Sequence, residues 1–234
     1  VPRGTQREKI QNVFLVPHHS DAISVYPPVL EAVWWADYII IGPGDLFTSI
    51  IAGLIVPGVK EAFQKSRATV LYVLNIMTKF GETHNFTGWD FVSRLEGFMG
   101  RDVDGILYNT ARPDESLIVQ YREQKAEFVE ISPEDPCWGR RTIHAADMLD
   151  TSGGIVRHDS KKLARQIQAH ALDHPIELDG RRLSIAAVLD ISARLLFIHR
   201  FDVARGDDPL PKLHHFRALQ DIPELGLADK KDPQ

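Results

Sequence analysis

Cysteine is nearly missing: Cys137 is the only one in 234 residues. That excludes an intrachain disulfide and a thiolate metal cluster. A surplus of basic charge is missing too, since 27 Lys and Arg face 32 Asp and Glu for a net charge of −5. A nucleic-acid surface ordinarily shows the opposite bias, so nucleic acid is not an expected partner. Long apolar runs are absent. Stretches such as Tyr38–Ile41 and Leu195–Ile198 fall far short of the roughly 20 residues that cross a bilayer, and no membrane insertion is expected. No charged-then-apolar secretory signal opens the chain, which with the lone cysteine points to a reducing, cytoplasmic setting. A Walker pattern, a G-x-G-x-x-G and internal repeats are lacking as well.

What is present has the balance of a globular protein, 44% hydrophobic and 25% charged. Asn12–Val16 is predicted as a short buried strand ended by Pro17. Pro27-Pro28 opens a predicted helix through Ala36, proline being suited to a first turn. Val29, Val33 and the flanking Trp34 and Trp35 give that helix an apolar stripe, with the tryptophans expected in the core. Tyr38–Ile41 is too uniformly apolar to face water on either side. Helices are predicted over Thr48–Leu54 and Val59–Ser66, and a strand over Thr69–Leu74. Trp89, Phe91, Val92, Leu95 and Phe98 then recur at helical spacing. A strand over Gly105–Tyr108, a helix over Ser116–Gln124 and a strand over Glu127–Ile131 follow.

Strands alternating with helices imply βαβ units, hence an α/β, Rossmann-like fold with a largely parallel sheet and flanking helices. Beyond Ile131 the pattern loosens. Asp159 caps a predicted helix from Ser160 to about Leu172. Asp179-Gly180 centres a predicted hairpin over Ile176–Ser184, and Ile185–Phe201 reads as an amphipathic helix. The expected division is a domain over residues 1–172 and a C-terminal hairpin/helix extension and tail over 173–234.

In parallel sheets, ligands sit beyond the carboxyl ends of the strands. The loops that begin at Gly42, Asn75 and Asn109 all leave predicted strands at that end and are candidates for one shared crevice. In "GPGDLFTS" (Gly42–Ser49), two glycines remove side chains where a ligand would approach the backbone. Main-chain amides and the start of a helix would favour a phosphate there, with Thr48 and Ser49 adding hydroxyl donors. The alternative is a plain turn in which Asp45 or Thr48 caps the helix.

Three stretches in order, "GPGDLFTSIIAGLIVPGVKEA" (Gly42–Ala62), "LYVLNIMTKFGETHNFT" (Leu71–Thr87) and "RHDSKKLA" (Arg157–Ala164), resemble the CofD-like superfamily. The resemblance covers about Lys9–Ala169 and is nearest to the YvcK-type branch, the gluconeogenesis factors. It implies a Rossmann-like nucleotide-binding protein. The superfamily's enzyme branch transfers a phospholactyl-type group from a guanosine diphosphate donor to a deazaflavin precursor with magnesium. The YvcK-type branch binds UDP-sugars and supports gluconeogenic growth and normal cell shape. The GPGDLFTS wording is similar to the second branch, because the transferases carry a GPSNP-type turn. By this resemblance the phosphate side comprises Gly42, Pro43, Gly44, Asp45, Leu46, Thr48 and Ser49. The second loop supplies Asn75, Thr78, Gly81, Glu82 and Thr83.

Two departures from the family pattern matter. Asp45 stands where many relatives have Ser, and an ionised Asp repels a phosphate unless magnesium bridges them or the carboxylate caps backbone amides. Asp45 is thus the candidate metal ligand and Mg2+ the candidate cofactor; no tightly bound organic cofactor is expected. The family's opening strand with its GGGTG-like turn is not seen, so the chain is expected to begin partway through a domain.

Each further residue has a sharp and a plain reading. Glu82 is a general acid or base, or a loop brace; Asn75 contacts a base or ribose, or forms a turn. Arg112, near Asn109 and Asp114, pairs with phosphate or is simply solvated. His170 and His174 have the i, i+4 spacing of a metal pair but no third ligand, which favours plain surface histidines. Cys137 has no nearby His pattern and is expected to be inert. Three functions remain in play: a UDP-sugar-binding regulator, a magnesium-dependent transferase, and a ligand-free interaction module. Self-association is left open.

Overall fold

The computed structural model describes residue 10 and residues 12–17, 22–173, 183–188 and 201–203. Helix α1 (Pro27–Trp35) starts with proline in its first turn and buries Val29 and Val33. Strand β1 (Tyr38–Ile41) is buried at every position. After the Gly42–Gly44 turn comes a π-helix, Leu46–Ile51, continued by α2 (Ala52–Leu54). Helix α3 (Val59–Lys65) and strand β2 (Thr69–Val73) follow. Helix α4 (Gly88–Met99) is set at its start by a Thr87–Asp90 capping box and ended by Gly100 in the left-handed region. Next are β3 (Gly105–Asn109), α5 (Glu115–Glu123) and β4 (Thr142–Ala146). A small antiparallel pair, β5 (Leu149–Asp150) and β6 (Arg157–His158), precedes α6 (Ser160–Asp173). Strands β7 (Leu183–Val188) and β8 (Phe201–Val203) complete the described elements.

Among the described residues the main sheet runs β4-β3-β2-β1-β7-β8. All its ladders are parallel except the last, β7 with β8. Successive side chains of a strand point to opposite faces, so each strand feeds two cores. Ile39, Ile41, Val70, Tyr72 and Ile106 pack on one face with Val33, Phe63, Phe91 and Leu95 from the helices. Tyr38, Ile40, Leu71, Val73 and Leu107 pack on the other face with Met148 and with Leu163 of α6. The expected α/β, Rossmann-like architecture is what the chain adopts.

Four local expectations are corrected. Asn12–Val16 is in no strand, and Phe14 and Val16 are 75% and 71% exposed; an apolar run becomes a strand only where a sheet edge accepts it. Glu127–Ile131 does not join the sheet either. It makes a single antiparallel bridge, Met77 to Phe128, across the loop after β2. Trp34 and Trp35 are 50% and 73% exposed rather than core. The predicted helix over Ile185–Phe201 begins inside β7 and ends inside β8, and the residues between lie outside the described ones. A short run such as Ser184–Val188 fits a buried strand and a helix segment equally by pattern. The hairpin turn expected at Asp179-Gly180 also lies outside the described residues. Strand β4 went unnoticed in the pattern because it is only partly buried and carries His144 among small residues.

No single helix among the described residues is long and apolar enough to cross a membrane. One bent pair, Leu46–Leu54 with Val59–Lys65, meets that test by length and composition, yet Leu46, Ile50, Ile51, Leu54 and Phe63 are buried in the sheet core.

Candidate functional site

Because β1, β2 and β3 run parallel, the loops at Gly42, Asn75 and Asn109 leave the same edge of the sheet. The first two bound a crevice of about 560 Å3, lined by Pro43, Gly44, Asp45, residues 75–79, Tyr121 and residues 156–158. That volume is in the range of small-ligand sites.

Gly42 is the residue that the turn requires. Its φ is +86°, and an added Cβ would lie 3.2 Å from the Val73 carbonyl oxygen. The Gly44 carbonyl accepts a hydrogen bond from Asn75 Nδ2 at 2.9 Å. Asn75 Oδ1 in turn accepts from the Tyr72 hydroxyl at 3.0 Å, and burial keeps that phenol protonated by raising its pKa. Asn75 therefore ties the two loops together. The amides of Ser49 and Ile50 both donate to the Asp45 carbonyl at 3.0 Å, which widens the first turn into π geometry. No side chain caps this end, so neither Asp45 nor Thr48 plays the plain capping role. First-turn amides of a helix have no intrahelical acceptor.

The second loop is braced by its hydroxyls. Thr78 exchanges hydrogen bonds with the Glu127 backbone, both at 2.8 Å. Thr83 Oγ1 accepts from the Lys79 amide at 3.0 Å, and Gly81 takes a φ of +83° with its amide on His84 Nδ1. Among the sequence-predicted residues, Pro43, Gly44, Asp45, Asn75 and Thr78 reach the crevice. Leu46 and Ser49 are buried, and Thr48 is exposed with its hydroxyl 3.4 Å from Glu82 Oε2. Glu82 and Asp45 both pair with Lys79.

The third loop turns away. Asn109 spends its amide on the Met148 N–H and the Ala111 carbonyl, and Arg112 pairs with Glu130 over the Phe128 ring. His170 packs edge-on against Tyr38 and His144 with ring centroids 5.8 and 4.2 Å away, buried rather than on the surface; His174 lies outside the described residues. The Cys137 thiol is pushed up in pKa by desolvation and by Asp135, which keeps it in its unreactive protonated form.

Sequence reasoning missed Lys79, Tyr121, Arg157 and His158 as crevice residues. Tyr121 comes from α5, and its hydroxyl accepts the Val156 amide at 3.0 Å. Arg157 is steadied by Asp150 at 2.7 Å and Ser152 at 2.9 Å. The signal lies in the RHDSKKLA stretch, where local pattern speaks for Asp159 as a helix cap and for Lys161-Lys162 as a solvated face but not for Arg157 or His158. Asp159 does cap α6, accepting from the amides of Lys161 and Lys162 at 2.8 and 2.9 Å.

His158 has its Nε2 buried without a hydrogen-bond partner. Burial lowers its pKa to about 4 against the opposing pull of a backbone hydrogen bond at Leu74. Unfolded, the ring titrates near ~6.5, so between these values the unfolded chain binds a proton that the native one refuses. Stability is therefore complete above pH ~6.5 and falls toward pH ~4, by up to about 3 kcal/mol. Urea midpoints measured across that window should fall for the native sequence and stay flatter for His158→Phe. Superimposable profiles would remove His158 as the cause.

A sequence model of the family described as "2-phospho-L-lactate transferase CofD" matches residues 1–149. The chain belongs to the CofD family. Among its curated relatives, a protein of Aquifex aeolicus named "Putative gluconeogenesis factor" is 40% identical over 167 residues, 70% of this chain and 49% of that protein. A Thermotoga maritima protein of the same name is 43% identical over 152 residues, 62% of this chain and 48% of that one. Protein BH3568 from Bacillus halodurans, described as a member of the UPF0052 family, superposes with a TM-score of 0.63 at 31% identity, over 69% of this chain and 51% of that chain. This CofD chain thus spans about half the length of the relatives it matches.

Proposed function

We propose that this chain is the nucleotide-sugar-binding part of a gluconeogenesis-factor type of CofD protein. It holds a UDP-sugar in the crevice with the diphosphate against Pro43–Asp45, and acts in the cytoplasm as a regulator of gluconeogenic growth and cell shape. The observation that carries this reading is convergence. The GPG turn, the Asn75–Lys79 loop and the Arg157-His158 pair are far apart in sequence, yet all line one crevice at the carboxyl edge of the sheet. Lys79 and Arg157 bring positive charge there, suited to a diphosphate.

The family description favours a second reading, a phospholactate transferase, for which the sequence resemblance implies magnesium and a guanosine diphosphate donor. Against it, the acids beside the GPG turn, Asp45 and Glu82, are both engaged by Lys79. Calorimetry with UDP-N-acetylglucosamine, GDP and NAD, each with and without magnesium, separates the readings. Binding of UDP-N-acetylglucosamine in preference to the other two is the expected result. Magnesium-dependent GDP binding would establish the transferase reading instead. No heat with any of the three, in folded protein, would leave the interaction module standing.

A further inference from the structure

Three charged side chains meet beside the GPG turn. Lys79 Nζ lies 2.7 Å from Glu82 Oε1 and also contacts Asp45 Oδ2. Lys79 and Asp45 line the crevice, while the Glu82 side chain is only 12% exposed. Thr48 Oγ1 lies 3.4 Å from the other Glu82 oxygen. Two carboxylates beside a diphosphate repel each other and the ligand unless a cation stands between them. In this chain the Lys79 ammonium stands there.

An ammonium is a compact point charge with three N–H donors. Asp45 and Glu82 engage two of them, which leaves the third for a phosphate oxygen. Magnesium in the same place would demand near-octahedral oxygen ligands at about 2.0–2.1 Å. Among the described residues no group of three or more His, Cys, Asp or Glu side chains could hold a metal. A metal and Lys79 would compete for the same two carboxylates. We propose that Lys79 is a built-in counter-cation, bridging Asp45 and Glu82 to the diphosphate so that this crevice binds its ligand without the magnesium that the family resemblance implies.

This inference rests on the crevice being a nucleoside diphosphate site, and adds the cation chemistry of that site. Desolvation opposes the Lys79 charge, but hydrogen bonds and charge from Asp45 and Glu82 outweigh it, and the pKa of the amine moves upward. The pairing also answers the puzzle of Asp45: its carboxylate faces a cation supplied by the chain itself.

The test uses the full chain and its Lys79→Met, Lys79→Arg and Lys79→Met/Asp45→Asn variants, with circular dichroism to confirm folding. Calorimetry with UDP-N-acetylglucosamine is run in EDTA and in magnesium. The native chain should bind equally in both. Lys79→Met should lose about tenfold in EDTA, the size of one charge-assisted hydrogen bond, and recover in magnesium. Lys79→Arg should retain binding in EDTA. Mn2+ added with UDP-N-acetylglucosamine, whose phosphates complete its ligand set, should be held by Lys79→Met, as its paramagnetic resonance signal reports, but by neither the native chain nor the double variant. Native binding that collapses in EDTA overturns the inference while leaving the nucleotide reading intact. So does an Asp45-dependent Mn2+ site in the native chain. Failure of the native chain to bind under either condition sinks the nucleotide reading, and the inference with it.

Discussion

Glu96→Ala should lower the unfolding free energy by about 3–5 kcal/mol, the usual consequence of removing one partner from a buried ion pair. Glu96 on α4 faces Arg141 just before β4, and both side chains are 10% exposed. The contact is a fork: Glu96 Oε1 lies 2.6 Å from Arg141 Nε and Oε2 lies 2.7 Å from Nη2. Oε1 also accepts the Val103 amide at 2.9 Å. Asp102 touches the same guanidinium at 3.2 Å, and the Trp89 ring covers it with its centroid 5.1 Å away. The hydrogen bonds to Glu96 raise the Arg141 pKa, and a guanidinium keeps its proton even without them, so the cation cannot escape by losing a proton. Alanine at 96 would leave the Arg141 cation with only the half-exposed Asp102 carboxylate and would orphan the Val103 amide. Denaturant unfolding of Glu96→Ala, Arg141→Met and the pair Glu96→Leu/Arg141→Met measures this directly. The double variant should recover much of the loss, because two apolar side chains leave no buried charge behind. A loss below about 1 kcal/mol in Glu96→Ala would put the pair in the class of exposed salt bridges and refute the argument.

Gly42→Val should weaken any diphosphate ligand of the crevice by over about tenfold and also destabilise the fold. The φ of +86° excludes a β-branched residue, and the atom its Cβ would meet first is the Val73 carbonyl oxygen at 3.2 Å, which belongs to a buried strand and cannot swing aside. The turn must then shift, carrying Pro43 and Gly44 with it, and these two line the crevice. Gly42→Ala meets the same backbone conflict with less bulk and should cost about 1–2 kcal/mol. Gly44→Val adds volume to a lining residue, and should reduce affinity with less effect on the denaturation midpoint. Affinity by calorimetry and stability by denaturation, read on all three variants, separate the two roles. Native-like affinity in a folded Gly42→Val protein would take the GPG turn out of the site.

The crevice shows how far local pattern reaches. The GPG turn was legible because glycine and proline punctuate a chain wherever they stand, and the apolar run before them can only be a buried strand or a helix too short to persist. The second loop was legible through its motif, but the work of its residues was not. Thr78 and Thr83 brace the loop, and Asn75 joins it to the first, by bonds whose partners no local window contains. Lys79 went unremarked because a lysine in a polar loop is ordinarily solvated. Its meaning comes from Asp45, 34 positions earlier.

By itself, the sequence determined the α/β class, the parallel strands β1 to β3, the edge where their loops emerge, and membership of the CofD family. The class, the strands and the edge follow from short-range properties: apolar runs of strand length, helical spacing between them, and residues that break either; the family rests instead on the likeness of whole motifs to known relatives. The tertiary structure alone decided which segments complete the sheet, taking β4 and β7 and passing over 12–16 and 127–131. It alone brought Arg157 and His158 to the crevice and set Lys79 between two acids. Strand partners and ion pairs are chosen by where the packed sheet puts its edges, and that geometry exists only after the chain has folded.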